Sequence, residues 1–194
     1  MLEIIQTTSD EEVQYSAFSS YMDSLLRNEV WRSGNISNKR IPWSEGLAAR
    51  KQDIEIFNSF GIYIWGGIQA PIYVGKTTTS FKKRFSRYIW SKKSQCNLAK
   101  DYGSEIVENG VDGFPCEIRD WYRKGYGNSL VRLNGAVRFA REGMDNIWFT
   151  LLPVDSDSES DVANIEKKLI RIAQQWNTKN GFSHLLNIEF NPQK

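Results

Sequence analysis

The sequence is poor in the residues that build covalent or metal-bound frameworks. Its 194 residues include two cysteines, Cys96 and Cys116, and one histidine, His184. Two cysteines without zinc-ligand spacing predict free thiols in a reducing cytosol rather than a disulfide framework. A single histidine excludes any catalyst or metal site that needs two imidazoles, and we expect it at the surface or at a cap.

Long apolar runs are also missing. None approaches the ~18–20 residues that a membrane-spanning helix requires. The start of the chain, MLEIIQTTSDEE, is acidic and polar, unlike a secretory signal. We therefore expect a soluble, cytoplasmic protein with no membrane partner. Seven tryptophans, eight tyrosines and ten phenylalanines exclude wholesale disorder, and the length predicts a single domain over residues 1–194.

The net charge of +2 hides a segregation along the chain. Residues 76–141 carry a balance of +8, whereas residues 1–75 and 142–194 carry −3 each. A middle third of this charge would attract a polyanion. The alternative is a solvated face whose charges scatter once the chain is folded.

Short periodic segments predict an α+β fold, a small antiparallel sheet flanked by helices. The pattern places helices at 10–28, 44–58, 81–90 and 162–176, and strands at 61–65, 72–74 and 146–154. Ser80 is the expected N-cap of the helix that follows the first two strands. Residues 1–59 then form an N-terminal helical extension, and residues 93–145 form an insertion.

A hairpin in the middle of the chain carries the most informative pattern. It reads GIY at 61–63 and YVG at 73–75, and Lys76 follows at once. Because side chains alternate along a strand, Tyr63 and Tyr73 can share one face of the sheet. The residues expected on the opposite, core-directed face are Ile62, Ile64, Ile72 and Val74. Taken alone, either tyrosine fits better as an aromatic residue at the edge of the core.

The helix after the hairpin adds two further polar groups to this region. Arg84 and Tyr88 are four residues apart in FKKRFSRY, so they lie on one side of that helix. The two hairpin phenols, the Lys76 ammonium and the Arg84 guanidinium would then converge. This combination suits a phosphate and the negative charge that develops on it.

GKTT at 75–78 imitates the end of a phosphate-binding P-loop. That motif needs a glycine five positions before Gly75, where this chain has Ala70. It also needs a loop before the lysine, where Ile72–Val74 predicts a strand. We therefore expect no nucleotide cofactor.

The order of these motifs resembles the GIY-YIG nuclease family, whose signature is two such tripeptides followed by an arginine on the next helix. The resemblance covers residues 60–92 and 146–190, and it implies a GIY-YIG-like catalytic core. It further implies a divalent-metal-dependent endonuclease that hydrolyses phosphodiester bonds in double-stranded DNA with a single Mg²⁺ or Mn²⁺ in each active site.

The resemblance also implies roles for the residues of the hairpin and its helix. Tyr63, assisted by Lys76, would be the general base, or it would only orient the attacking water. Both readings stay open because a phenol with a pKa of about 10 is a poor base at neutral pH. Tyr73 would position the water. Arg84 would stabilise the charge on the phosphate, and Tyr88 would support the phosphate or the water.

Glu166, in the first turns of the last long helix, would hold the metal ion in this family. Taken alone, a glutamate in this position is usually a surface charge that stabilises a helix N-terminus. The family also has an asparagine after this helix. Asn177 suits the commoner short spacing, and Asn187 suits variants with a longer turn. We favour Asn187 because it borders an apolar segment that must return to the core.

Residues 119–141 of the insertion mix basic residues with aromatic ones, six Lys/Arg against one acid. Such a mixture predicts contacts with phosphates and with bases or grooves. The candidate DNA-binding residues, here and on the helix after the hairpin, are Lys82, Lys83, Arg87, Arg119, Arg123, Lys124, Arg132 and Arg138. The alternative is a helical hairpin whose aromatic residues pack on the core and whose charges face water.

Extra segments on both sides of the catalytic core favour a sequence-specific type II restriction enzyme. A homing, repair or structure-specific nuclease more often appends a separate DNA-binding domain, for which 194 residues leave little room. Cleavage of both strands of a palindrome by one site per chain would call for a homodimer or two sequential nicks. A non-catalytic DNA-binding module with the same fold is the remaining alternative, and the filled motif positions disfavour it.

Overall fold

A computed structural model describes residues 1–32, 35–36, 38–46, 54–125, 129–155 and 159–189. The strands are β1 (Ile41–Pro42), β2 (Gly61–Gly66), β3 (Pro71–Thr77) and β4 (Trp148–Pro153). The helices are α1 (Leu2–Thr7), α2 (Glu11–Arg27), α3 (Phe81–Trp90), α4 (Gln95–Asp101), α5 (Gly103–Asn109), α6 (Cys116–Gly125), α7 (Ser129–Glu142), α8 (Glu159–Lys179) and α9 (Leu186–Glu189). The fold is α+β, as the sequence predicts.

The sheet is antiparallel and has the strand order β1-β4-β2-β3. The predicted hairpin is β2 and β3, and the strand predicted at 146–154 is β4. The short β1 lies in a stretch that reads as a loop in the sequence, because its two residues carry no alternation of their own. β3 lies at the edge of the sheet among the described strands. The candidate site residues lie on this strand and beside it.

The hairpin register confirms the predicted facing of the two tyrosines. Tyr63 pairs with Gly75, and Tyr73 pairs with Trp65, so both phenols lie on the same face of the sheet. The pairing shifts at the turn end of the hairpin. Ile72 stands in this irregularity, and its side chain joins the buried cluster that contains Tyr63. The prediction that Ile72 points to the opposite face is therefore wrong.

Two clusters of buried side chains cover the two faces of the sheet. One contains Ile62, Ile64 and Val74 and packs against α1, α2 and α8. The other contains Tyr63 and Phe85 and packs against α3 to α7. Because β3 is an edge strand, groups from the two faces can approach each other around it.

The N-terminal helical extension agrees with prediction at α2 and departs from it afterwards. α2 begins after Asp10, whose carboxylate accepts hydrogen bonds from the backbone N–H groups of Glu12 and Val13. Of the helix predicted over 44–58, Gly46 is helical, whereas Trp43–Glu45 before it and Glu55–Phe57 at the far end are 3₁₀ turns. Residues 47–53 lie outside the described residues.

The insertion packs as a set of helices on the face that contains Tyr63. Tyr122 of α6 and Phe139 of α7 are buried in the same cluster as Tyr63. These aromatic rings are therefore part of the core, as the alternative reading of the segment expects, whereas residues 126–128 lie outside the described part. Both cysteines are free thiols, and Cys96 is buried while Cys116 is exposed.

Candidate active site

Three side chains from β2 and α3 form a compact phenol–guanidinium cluster. The Nε of Arg84 donates a hydrogen bond of 3.0 Å to the hydroxyl oxygen of Tyr63. The hydroxyl oxygens of Tyr63 and Tyr88 lie 3.2 Å apart, and either can donate. The guanidinium carbon of Arg84 also lies 5.7 Å from the ring centre of Tyr63 and 5.5 Å from that of Tyr88. Arg84 and Tyr88 thus share one side of α3, as predicted.

The N-cap of α3 and its buried side determine which way Arg84 and Tyr88 point. The hydroxyl of Ser80 accepts a hydrogen bond of 3.2 Å from the backbone N–H of Lys83, which confirms Ser80 as the N-cap. Phe81 and Phe85 are buried, so the opposite side of the helix is anchored in the core. Arg84 and Tyr88 remain half-buried at the boundary between core and solvent.

Tyr63 is the buried member of the cluster, with a fully covered side chain. Burial raises its pKa well above the usual value, and the neighbouring phenols of Tyr88 and Tyr73 raise it further, against the opposing effect of Arg84. Burial alone would lower the pKa of Arg84, but the three phenols outweigh it and the net pKa of the guanidinium is raised. At neutral pH Tyr63 is therefore a neutral phenol beside a charged guanidinium.

Tyr73 of β3 is the third phenol beside this cluster. Its ring centre is 6.3 Å from that of Tyr63. Burial is the main cause that raises its pKa, and the Tyr88 phenol and the Glu166 carboxylate raise it further. Tyr73 is nevertheless half-buried, so a substrate can approach it.

Lys76 and Glu166 form the second part of the site. The Nζ of Lys76 lies 3.2 Å from Oε2 of Glu166, and 36% of the lysine side chain and 16% of the glutamate side chain are exposed. Lys76 pairs in register with Ile62, whose side chain is buried against α8. Glu166 comes from α8 itself. This ion pair therefore lies on the α8 side of β3, whereas the Tyr63 cluster lies on the other face of the sheet.

The prediction that Lys76 assists Tyr63 is corrected by this geometry. The cation at the hydroxyl of Tyr63 is Arg84. Lys76 is bound to Glu166 instead. The physical reason is strand alternation, since Lys76 is an odd number of residues from Tyr73 and its side chain leaves the strand on the opposite face.

Both candidate asparagines bind the backbone of β3. Oδ1 of Asn187 accepts from the N–H of Val74 at 2.9 Å, and its Nδ2 donates to the carbonyl of Val74 at 2.8 Å. Nδ2 of Asn177 donates to the carbonyls of Pro71 and Ser183, at 3.0 and 2.9 Å. Both side chains thus pair with the open edge of the sheet, so they hold β3 and its Tyr73 in place.

A metal ion at this site would have Glu166 as its protein carboxylate. In the described part of the chain, no group of three or more His, Cys, Asp or Glu residues is placed to hold a metal. One carboxylate nonetheless fits Mg²⁺, which keeps several waters and binds substrate phosphates through one or two protein carboxylates. In this structure the Lys76 ammonium supplies the positive charge at the Glu166 carboxylate.

The candidate DNA-binding residues differ in exposure and partners. Lys82, Lys83 and Arg87 are exposed on α3, where the structure gives them no acidic partner among the described residues. Lys124 of α6 and Arg132 of α7 are also exposed. The α3 cations follow the same helix as Arg84 and Tyr88, so they border the site directly.

Three cations of the insertion have intramolecular partners. Arg119 contacts Asp112 at 2.8 Å and the sulfur of Cys116 at 3.2 Å. Arg138 contacts Glu142 at 3.4 Å and is mostly covered, with 22% of its side chain exposed. Arg123 lies 3.9 Å from Asp120, and 73% of its side chain is exposed. Arg123 is therefore far more accessible than Arg138.

The two glycines of the motif have a structural role that sequence reasoning missed. A Cβ atom at Gly61, which has a φ of +145°, would collide with the backbone of Leu152 in β4 and of Val154 just after it. A Cβ atom at Gly75 would collide with the ring of Tyr63. The only sequence signal was the pairing of each glycine with a tyrosine in the GIY and YVG tripeptides.

Comparison with family models, curated proteins and solved structures gives no match to this chain. The exposed position of His184 agrees with prediction. Within the parts of the chain that the structure covers, no helix combines the length and the apolar character needed to cross a membrane.

Proposed function

We propose that this chain is a divalent-metal-dependent endonuclease that hydrolyses phosphodiester bonds in double-stranded DNA. The observation that supports it best is the phenol–guanidinium cluster on one face of the sheet, together with the edge strand β3, which carries Tyr73 beside that cluster and the Lys76–Glu166 pair on its other face. Arg84 is hydrogen-bonded to Tyr63, Tyr63 is hydrogen-bonded to Tyr88, and the ring centre of Tyr73 lies 6.3 Å from that of Tyr63. Three phenols, a guanidinium and a carboxylate at a partly open edge suit a phosphodiester better than an uncharged substrate.

Arg84 would stabilise the negative charge that builds on the phosphate. Its Nε is held by Tyr63, and it is flanked by two rings. A guanidinium offers five N–H donors in a planar fork, so the remaining donors can reach phosphate oxygens. The cluster fixes the guanidinium before substrate binds, which is the requirement for efficient charge stabilisation.

Tyr63 orients Arg84 and Tyr88 in this proposal and does not remove a proton from water. A general base must be deprotonated, and burial of Tyr63 raises its pKa well above the usual value. The half-buried phenols of Tyr73 and Tyr88 are the ones placed to contact the phosphate or the attacking water. Asn187 acts at one remove, by holding the strand that carries Tyr73.

Glu166 would hold the metal ion, Mg²⁺ or Mn²⁺, in this site. When bound, such an ion would supply Lewis-acid stabilisation of the phosphate and the leaving oxygen. The exposed cations Lys82, Lys83 and Arg87 would bind the DNA backbone beside the cleaved bond. Lys124, Arg123 and Arg132 would add contacts from the insertion.

Within nucleases, a sequence-specific type II restriction enzyme is the proposed class. The supporting observation is that the insertion shares the buried cluster of Tyr63, so α6 and α7 are fixed relative to the site. A fixed basic surface can position DNA for sequence-specific cleavage. Cleavage of both strands would proceed in a homodimer or by two nicks in succession.

The proposal is tested with supercoiled plasmid and purified full-length chain. Wild type is expected to nick or linearise the plasmid with Mg²⁺ and to leave it intact with EDTA. Glu166→Gln removes the carboxylate and is expected to abolish cleavage while DNA binding survives. Glu159→Gln, at an exposed acid on the same helix, is the matched control and is expected to cut normally. Cleavage by Glu166→Gln at the wild-type rate would contradict the proposal.

The same assay distinguishes a general-base role of Tyr63 from an orienting role. A general-base role predicts a ~10²–10⁴-fold loss for Tyr63→Phe. The orienting role predicts a smaller loss and no change in the pH dependence of the rate. Tyr88→Phe and Arg84→Lys are expected to share that unchanged profile.

A non-catalytic DNA-binding module is the second candidate, and the complete burial of Tyr63 favours it. A residue that only fills the core needs no access to substrate. This candidate predicts DNA binding without cleavage in any divalent metal. Under it, Tyr63→Phe changes stability alone.

A further inference from the structure

The ion pair between Lys76 and Glu166 suggests how metal binding is controlled. We infer that the Lys76 ammonium occupies the Glu166 carboxylate as an internal cation and must release it before a divalent metal ion can bind. The inference rests on the proposed function, because that proposal assigns the metal to Glu166. It adds a competitor that the function itself does not require.

The geometry makes the two cations mutually exclusive at one oxygen. Nζ of Lys76 lies 3.2 Å from Oε2 of Glu166. A divalent ion bound to that oxygen would stand within a few ångströms of a like charge, and such repulsion is weakly screened at a mostly covered site. Only 16% of the Glu166 side chain is exposed, so solvent offers little relief.

Neighbouring lysines do not replace Lys76 in this role. Lys168 donates a hydrogen bond of 2.9 Å from its Nζ to the backbone carbonyl of Ile5, so its ammonium is directed towards α1. Lys167 follows Glu166 directly and is exposed on α8. Lys76 is therefore the lysine whose charge is placed on the carboxylate.

After its release from Glu166, the Lys76 ammonium can bind the phosphodiester of the substrate. Lys76 belongs to the same edge strand as Tyr73, and 36% of its side chain is exposed, so its ammonium can turn towards a phosphate bound at that edge. A phosphodiester at the site would take the ammonium from Glu166, and a metal ion would free it for the phosphate. Metal and DNA would then each raise the affinity for the other, as linkage requires.

Removal of the competitor is the test. Mn²⁺ is titrated into the full-length chain without DNA, and free Mn²⁺ is followed by electron paramagnetic resonance. Lys76→Met is expected to bind Mn²⁺ ~10-fold more tightly than wild type, a gain of about 1.4 kcal/mol. Lys76→Gln, which keeps a polar end, is expected to show the same direction. Lys100→Met, at an exposed lysine of α4, carries the same loss of charge and is expected to bind like wild type.

The outcomes separate this inference from the proposed function. Affinity in Lys76→Met and Lys76→Gln equal to or below that of wild type would overturn the competition, even if Glu166→Gln abolishes binding. Unchanged binding by Glu166→Gln would overturn the metal site itself. The coupling is checked by repeating the titration with a duplex made resistant to cleavage. Wild type is expected to gain more Mn²⁺ affinity from the duplex than Lys76→Met does, and an equal gain would count against the release of Lys76.

Discussion

The ring of Tyr63 lies directly over Gly75 on the neighbouring strand. The two residues are partners in the β2–β3 register. A Cβ atom at position 75 would come within 2.5 Å of the hydroxyl oxygen of Tyr63 and closer still to its ring. The glycine of the YVG tripeptide thus provides the space in which the tyrosine of the GIY tripeptide rests, and the hydroxyl that binds Arg84 depends on it.

We predict that Gly75→Ala destabilises the protein and impairs the site together. The added methyl group must displace the ring of Tyr63, and such overpacking costs about 1–3 kcal/mol. Urea unfolding measures the loss, and plasmid cleavage is expected to fall at least tenfold because Arg84 loses its anchor. Gly103→Ala is the control, since a Cβ atom there meets no atom within 4 Å. In a Tyr63→Leu background the ring is absent, so Gly75→Ala is expected to cost less stability there. An equal loss of unfolding free energy in both backgrounds would contradict the predicted collision.

Asn187 is predicted to hold the edge strand through both of its hydrogen bonds to Val74. Asn187→Leu leaves a buried N–H and a buried carbonyl unpaired, at about 1–3 kcal/mol each, so a loss of about 2–6 kcal/mol is expected in urea unfolding. Hydrogen exchange of the Val74 amide is expected to accelerate in Asn187→Leu. Asn187→Asp keeps the acceptor and is expected to retain much of the protection. Equal exchange rates in wild type, Asn187→Leu and Asn187→Asp would show that Asn187 does not hold the edge strand at Val74.

Tyr21 is predicted to make the protein sensitive to alkali. Burial raises the pKa of Tyr21 to about 12, although its hydrogen bond to Thr150 works in the opposite direction. Between pH ~10, the pKa of an exposed phenol, and about 12, the folded chain keeps a proton that the unfolded chain releases. The free energy of unfolding therefore falls as the pH rises through this window.

The measurement is urea unfolding at pH 9, 10 and 11. Tyr21→Phe is expected to flatten the decline by up to ~1.4 kcal/mol per pH unit. Thr150→Val removes the partner and leaves the phenol, so it is expected to lower the stability and keep the slope. A Tyr21→Phe slope identical to that of wild type would show that this phenol does not contribute.

The exposed cations of α3 are predicted to bind DNA phosphates. Each phosphate contact adds about 0.9 to the slope of log K against log salt concentration. The double variant Lys83→Ala/Arg87→Ala is therefore expected to weaken binding and to lower the slope by about 2, as measured by fluorescence anisotropy. Arg119→Ala is the matched control, because Arg119 is held by Asp112 at 2.8 Å. If Arg119→Ala lowers the slope more than Lys83→Ala/Arg87→Ala does, α3 is not the DNA-binding surface.

The insertion receives its own test with Arg123→Ala/Lys124→Ala. Both residues are exposed, and loss of two phosphate contacts is expected to weaken binding and to flatten its salt dependence. An unchanged slope would leave α6 with a packing role only. That role is already served by Tyr122, which is buried in the core.

Local patterns in the sequence were sufficient for the hairpin, for α3 and its Ser80 cap, and for the side of α3 that carries Arg84 and Tyr88. These features depend on neighbours within a few residues, where alternation and helical spacing act directly. The helix expected over 44–58 failed at both ends, where the chain forms 3₁₀ turns. Periodicity cannot register such turns, because packing against the rest of the fold determines them.

By itself, the sequence determined which residue types meet in the hairpin and which face of the sheet carries Tyr63 and Tyr73. Only the tertiary structure decided that Lys76 binds Glu166 while Arg84 binds Tyr63. That choice depends on the placement of α8 beside the edge strand and on the packing of α3 against the opposite face. Strand alternation already directs the Lys76 side chain to the face opposite Tyr73, but the partner that each cation meets is fixed by contacts between segments far apart in the chain.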